Sequence, residues 1–81
     1  MPIILRQGPY KLFFYSNEGS PREPAHIHVR AGSKEAKFWL EPDVALADNN
    51  GFHAKELKSI IGIVSAARQQ IVDAWNVYFG N

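Results

Sequence analysis

The chain has 81 residues, of which 46% are hydrophobic and 21% charged, and its formal net charge is +1. This length predicts one small domain over residues 1–81, and the near-zero charge means that any basic surface for nucleic acid is local. The absence of cysteine excludes a disulfide scaffold, a thiolate metal site and a cysteine nucleophile, and no window approaches the ~18 apolar residues of a membrane span. We therefore expect a cytoplasmic domain.

Two strands are predicted in the N-terminal part of the chain. Residues 2–6 form a short strand that Gln7-Gly8-Pro9 ends, and the aromatic-rich residues 10–16 form a second strand. Residues 17–24 form a loop of turn formers and charges. The pattern does not decide which side of the second strand is buried. One side carries Leu12 and Phe14, and the other carries Lys11, Phe13 and Tyr15.

Residues 25–40 carry the most informative pattern, two strands around Gly32-Ser33. A two-residue turn there fixes the register of a hairpin. The pairs it predicts are His26 with Trp39, His28 with Lys37, and Arg30 with Glu35. Because side chains alternate along a strand, these six residues share one side, called the histidine face below, while the other side is nearly all apolar. We expect the apolar side to enter the core and the histidine face to be open.

The remaining residues predict a short final strand and one helix. Residues 44–47 form the strand, and the Asp-Asn-Asn-Gly sequence of residues 48–51 forms a turn. His53 and Glu56 have the spacing of a capping box, and apolar residues at intervals of three and four continue the helix. Gly80 is a natural stop.

These elements predict an α+β fold, a two-layer sandwich. An antiparallel sheet of three to five strands occupies residues 2–47, and one long C-terminal helix, residues 54–79, packs on one of its faces. One helix covers one face, so the histidine face is left for water, a second subunit or a ligand.

The segments Pro-Ala-His-Ile-His-Val-Arg, Glu-Ala-Lys-Phe-Trp-Leu-Glu-Pro and the terminal Ala-Trp-x-x-Tyr-Phe-Gly together carry a family resemblance. The chain resembles, over essentially its whole length, the bacterial domain-of-unknown-function family numbered 4160. Members of that family look like components of two-gene cassettes. The resemblance therefore implies a toxin–antitoxin-like component with a partner protein, and it assigns no catalytic residue.

The histidine face itself favours RNA as a ligand. Aromatic rings among basic side chains are typical of single-stranded RNA sites, and the residues predicted to bind are Tyr15, Arg30, Lys37 and Trp39. If the protein is an enzyme, His26 and His28 are the candidate catalytic pair of a metal-free ribonuclease, because imidazoles serve as both general base and general acid near neutral pH.

Two alternatives stay open. His26 and His28 point to the same side and are the residues to hold a metal, if there is one, with Glu18, Glu23, Glu35 or His53 as further ligands, although Lys37 opposite His28 opposes a cation. The other alternative is a non-catalytic module that forms a homodimer or binds a partner protein through the histidine face or the helix end. No cofactor is expected.

Overall fold

The computed structural model describes residues 2–17 and 23–80, and most of the predicted 17–24 loop lies outside them, together with Glu18. The described part is an α+β fold with a five-stranded antiparallel sheet in the order β1-β2-β3-β4-β5. The elements are β1 (Ile3–Gln7), β2 (Tyr10–Phe13), β3 (His26–Ala31), β4 (Lys34–Trp39), β5 (Ala45–Asn50), α1 (Ala54–Ala66) and α2 (Arg68–Phe79).

The central hairpin has the predicted register. His26 pairs with Trp39, His28 with Lys37, and Arg30 with Glu35. Gly32 in the turn has a φ of 62°, a left-handed conformation that glycine adopts without a Cβ clash. The three predicted pairs are therefore confirmed.

The core lies between one face of the sheet and the two helices. Leu12 and Phe14 belong to it, which settles the face of β2, and Phe13 pairs with His28 on the histidine face. The fully or nearly fully buried apolar side chains of the core also include Ile27, Val29, Phe38, Leu40, Ile60, Val64, Ile71 and Trp75.

The last strand is longer than predicted, because Asp48 to Asn50 belong to β5 and not to a turn. Asn50 pairs with Glu35 of β4. The side chain of Asn49 accepts a hydrogen bond from the Phe52 backbone N–H and donates one to the Phe52 carbonyl, so it closes the turn after the strand. The chain reverses at Gly51, whose φ is 104°.

The prediction of one long helix over residues 54–79 is wrong, because the helix breaks at Ala67. A straight helix of that length would extend about 39 Å, whereas the longest axis of the molecule is 34 Å. The bend keeps both segments on the sheet, and Arg68 Nε fixes the start of α2 by donating a 2.7 Å hydrogen bond to the Leu40 carbonyl.

The predicted helix ends are confirmed. Glu56 accepts a 2.9 Å hydrogen bond from the His53 backbone N–H as half of the capping box, and Gly80 ends α2 in the left-handed conformation. Neither helix of the described residues combines the length and the hydropathy needed to cross a bilayer.

Candidate functional site

His26 lies under the surface, so the prediction of an open histidine face is wrong at this position. Its exposed fraction is 0%, and its ring lies 4.8 Å from the Trp75 ring and 5.6 Å from the Trp39 ring. The Nδ1 atom is 2.9 Å from the Pro24 carbonyl, which fixes Nδ1 as the donor because a carbonyl only accepts. The contact with Trp75 thus links this strand residue to α2.

His28 is buried as well, with 7% of its surface exposed, so the prediction of an open histidine face is also wrong at this position. The Phe13 ring stacks on it at 5.6 Å, the Tyr15 ring meets it edge-on at 4.5 Å, and the His26 ring lies 5.2 Å away. The Nδ1 atom points toward Glu35, 3.7 Å from Oε2. The His28 ring thus lies between the Phe13 and Tyr15 rings and the Glu35 side chain.

Glu35 is the centre of the polar contacts on this face. Arg30 donates to its Oε1 from Nε at 3.1 Å and from Nη2 at 2.7 Å, and Tyr15 donates from its hydroxyl to Oε2 at 2.8 Å. Arg30 Nη2 also donates to the Tyr15 hydroxyl at 3.2 Å. The sequence predicted for Glu35 only the hairpin pairing with Arg30 and a place among further metal ligands, since nothing local links it to Tyr15.

Burial and the charges in this cluster shift the pKa values of Tyr15 and Arg30. Burial and then the Glu35 carboxylate raise the pKa of Tyr15, because both disfavour the phenolate. The Glu35 carboxylate also raises the pKa of Arg30, chiefly through its hydrogen bonds. At neutral pH Tyr15 is therefore a phenol and Arg30 a guanidinium, and both donate hydrogen bonds to Glu35.

Lys37 lies beside this cluster. Its ammonium is 3.3 Å from Glu23 Oε1 and 4.4 Å from the centre of the Trp39 ring. The first contact is a partly exposed ion pair, and the second is a cation–π contact.

An open groove of about 390 Å³ runs along this side of the sheet. Of the predicted site residues it brings together His28, Arg30 and Lys37, while His26 does not line it. Among the described residues, the groove is lined by His28, Arg30, Gly32, Ser33, Glu35, Ala36, Lys37, Asp48 and Asn50. Tyr15 and Trp39 are not among these lining residues; Tyr15 bonds to Glu35 and Trp39 contacts Lys37.

The described residues give the metal alternative no support. They contain no group of three or more His, Asp or Glu side chains placed to hold one ion. His26 Nδ1 is engaged with a backbone carbonyl, and the two imidazoles meet edge to face.

Comparison with known proteins identifies one family. The family model described as "Domain of unknown function (DUF4160)" matches residues 10–76, a range that includes the whole groove. No curated protein and no solved structure matches the chain at a significant level.

Proposed function

The chain belongs to the DUF4160 family, and we propose that it binds single-stranded RNA in the groove of the histidine face. The observation that carries the proposal is the convergence of Arg30, Lys37 and His28 on one groove of about 390 Å³, with the Trp39 ring against Lys37. Phosphates need cationic donors and unpaired bases need π surfaces; the groove supplies the cations, and the Trp39 ring lies beside it against Lys37.

Arg30 supplies a donor for phosphate. Its side chain is 38% exposed. Within the described residues its hydrogen bonds go to Glu35 and Tyr15, through Nε and Nη2. The N–H groups of Nη1 therefore remain for a phosphate oxygen, while the pair with Glu35 holds the guanidinium in place.

Lys37 supplies the second cation. Its present partner Glu23 has a side chain that is 40% exposed, and an ion pair of this kind contributes at most about 1 kcal/mol. A phosphate can replace that carboxylate with little loss. Trp39 then offers a ring next to the phosphate, on which a base stacks with about 1–3 kcal/mol.

The acidic residues of the groove limit the class of nucleic acid. Glu35 and Asp48 line it together with the cations, so its net charge is small. We expect contact with about two phosphates, and a salt dependence of the binding constant near −1.4 on logarithmic axes, which is about 0.7 per phosphate for single strands. A duplex binds more weakly, because Glu35 and Asp48 repel its denser negative charge and its paired bases are not available for stacking.

Fluorescence anisotropy with a labelled single-stranded RNA tests the proposal. The variant Lys37→Gln should weaken binding and reduce the logarithmic salt slope by about 0.7, because one phosphate contact is lost. Lys58→Gln is the matched control, since Lys58 is exposed on α1 and does not line the groove. Equal affinities for the two variants, or no salt-dependent binding by the wild type, would contradict the proposal.

The alternatives concern partner proteins. Failure to bind RNA would favour the protein-interaction module, for which size-exclusion chromatography of the pure chain measures self-association. The toxin–antitoxin-like pairing and the cytoplasmic location stay predictions, and both need experiments on the cell rather than on the purified chain.

A further inference from the structure

We infer that the groove is a metal-free RNA-cleaving site in which Glu35 is the general base, an inference that rests on the proposed RNA binding. The reaction class is transesterification, in which the 2′-hydroxyl of RNA attacks the adjacent phosphorus. This assignment replaces the histidine pair of the sequence analysis, because His26 is 0% exposed and does not line the groove.

The two oxygens of Glu35 are in different situations. Oε1 accepts both hydrogen bonds from Arg30, at 2.7 and 3.1 Å. Within the described residues, Oε2 accepts one hydrogen bond, from Tyr15, and His28 Nδ1 lies 3.7 Å away, beyond hydrogen-bond distance. A carboxylate oxygen accepts about two hydrogen bonds, so Oε2 can accept a second from a substrate hydroxyl. The side chain is 27% exposed at the groove, which admits that hydroxyl.

Arg30 and Tyr15 are positioning residues for this base. Together they hold the carboxylate by three hydrogen bonds from two other segments of the chain. A base held in one orientation loses no freedom when the substrate arrives, which is a condition for efficient proton transfer. His28 fills the space beside Oε2 and is shielded by Phe13, so it too positions the carboxylate.

Lys37 is placed to protonate the leaving group. It lies two residues from Glu35 on the same face of β4, about 6.6 Å away at Cα from the strand rise, and both line the groove. Base and acid therefore flank a phosphodiester that lies along the strand.

The proposed step balances without a metal or a cofactor. The 2′-hydroxyl proton passes to Glu35 Oε2 while the 2′-oxygen forms its bond to phosphorus. The bond from phosphorus to the 5′-oxygen breaks, and the 5′-oxygen takes a proton from the Lys37 ammonium. The products are a 2′,3′-cyclic phosphate and a 5′-hydroxyl, and water returns the proton from Glu35 to Lys37.

The test measures binding and cleavage in the same samples. A labelled RNA of mixed sequence is incubated in EDTA with the wild type, Glu35→Gln and the matched control Glu41→Gln, whose exposed carboxylate lies outside the groove. We expect 2′,3′-cyclic ends from the wild type and the control, and a rate lower by about 10²- to 10⁴-fold for Glu35→Gln, the usual contribution of a general base. Anisotropy measures the affinity of each variant for RNA, and the cleavage rates are compared at protein concentrations that saturate binding.

A substrate change makes the test independent of protein folding. RNA with 2′-deoxynucleotides throughout should bind to the wild type and stay intact, because the attacking oxygen is missing. If the wild type binds the ordinary RNA but does not cleave it, this inference is overturned and the RNA-binding proposal stands. If the wild type does not bind the ordinary RNA, both are overturned. Cleavage of the deoxy substrate, loss of cleavage in EDTA, or a fully active Glu35→Gln variant would also overturn the role of Glu35.

Discussion

The hydroxyl of Tyr15 donates a 2.8 Å hydrogen bond to Oε2 of Glu35. The two residues come from the segment after β2 and from β4, with β3 between them. Arg30 on β3 bonds to both, so one triangle of polar contacts spans three neighbouring parts of the sheet. It closes over His28, whose ring the Tyr15 ring meets at 4.5 Å. The histidine face is therefore an organised network rather than a set of independent surface side chains.

The first prediction concerns Tyr15→Phe. At neutral pH we expect it to lower the free energy of unfolding by about 0.5–1.5 kcal/mol, because a hydrogen bond to a partly buried carboxylate is lost. The raised pKa of Tyr15 in the folded state means that its contribution is complete below the unfolded value near ~10 and is lost as pH rises through the folded value.

Urea unfolding of the wild type and Tyr15→Phe at about pH 7, pH 9 and pH 11 measures this difference. The gap between the two proteins should narrow at the highest pH. Tyr78→Phe is the control, since Tyr78 is exposed on α2 and is not part of the triangle. A gap that stays constant or widens at alkaline pH would contradict the assigned shift.

The second prediction separates the roles of two histidines. His26→Ala should lower the free energy of unfolding by about 2–4 kcal/mol, because it leaves a cavity beside Trp75 and removes the donor to the Pro24 carbonyl. His53→Ala, at the exposed start of α1, should lower it by about 1 kcal/mol or less. Urea unfolding followed by tryptophan fluorescence compares them, and equal losses would show that His26 does not support the core.

Local patterns predicted the central hairpin well. The Gly32-Ser33 turn allows one register, and strand alternation then decides which side chains share a face. The same alternation linked Phe13 to the histidine face once Leu12 was in the core. These features depend on residues close in sequence or directly opposite each other in a ladder, which is why sequence reasoning reaches them.

The features that the sequence did not predict depend on distant contacts. The Trp75 ring of α2 packs against the buried His26, and the helix stripe by itself does not predict where α2 lies. The break at Ala67 carries no proline and keeps hydrogen bonds on both sides, from Ala67 to Ile63 and from Ile71 to Ala67.

The candidate site was predicted in part for the same reason. Arg30, Lys37 and His28 line the groove as strand alternation placed them. The importance of Glu35 was missed because Tyr15 lies in the irregular segment after β2, and its hydrogen bond reaches across β3 to Glu35 on β4. No spacing in the sequence reports such a contact.

A third prediction concerns the acid side of the stability curve. The backbone N–H of His53 and then the ammonium of Lys34, 2.7 Å away, lower the pKa of Glu56. A lowered pKa in the folded state gives a contribution that is present above the unfolded value near ~4.3 and is lost as pH falls through the folded value. Glu56→Gln should therefore lower the Tm at neutral pH, although glutamine can still complete the capping box.

The wild type and Glu56→Gln should converge in Tm as the pH falls through the lowered folded pKa of Glu56, below which both side chains are neutral. Circular dichroism during thermal unfolding measures this, with Glu41→Gln as an exposed control outside the capping box. A Tm difference that is the same at neutral and acid pH would show that the charge of Glu56 contributes nothing.

A fourth prediction contrasts two glycines that play opposite parts. Gly62, inside α1, has space around an added Cβ, so Gly62→Ala should raise the free energy of unfolding by about 0.5–1 kcal/mol. Gly51 has a φ of 104°, and an added Cβ would lie 2.9 Å from Lys34 Cγ. Gly51→Ala should therefore lower the free energy by more than about 1 kcal/mol, since the side chain of Lys34 can move but the backbone strain stays. Urea unfolding of both variants measures the direction of each change in the free energy of unfolding. A Gly51→Ala protein as stable as the wild type would contradict the backbone strain expected at this residue.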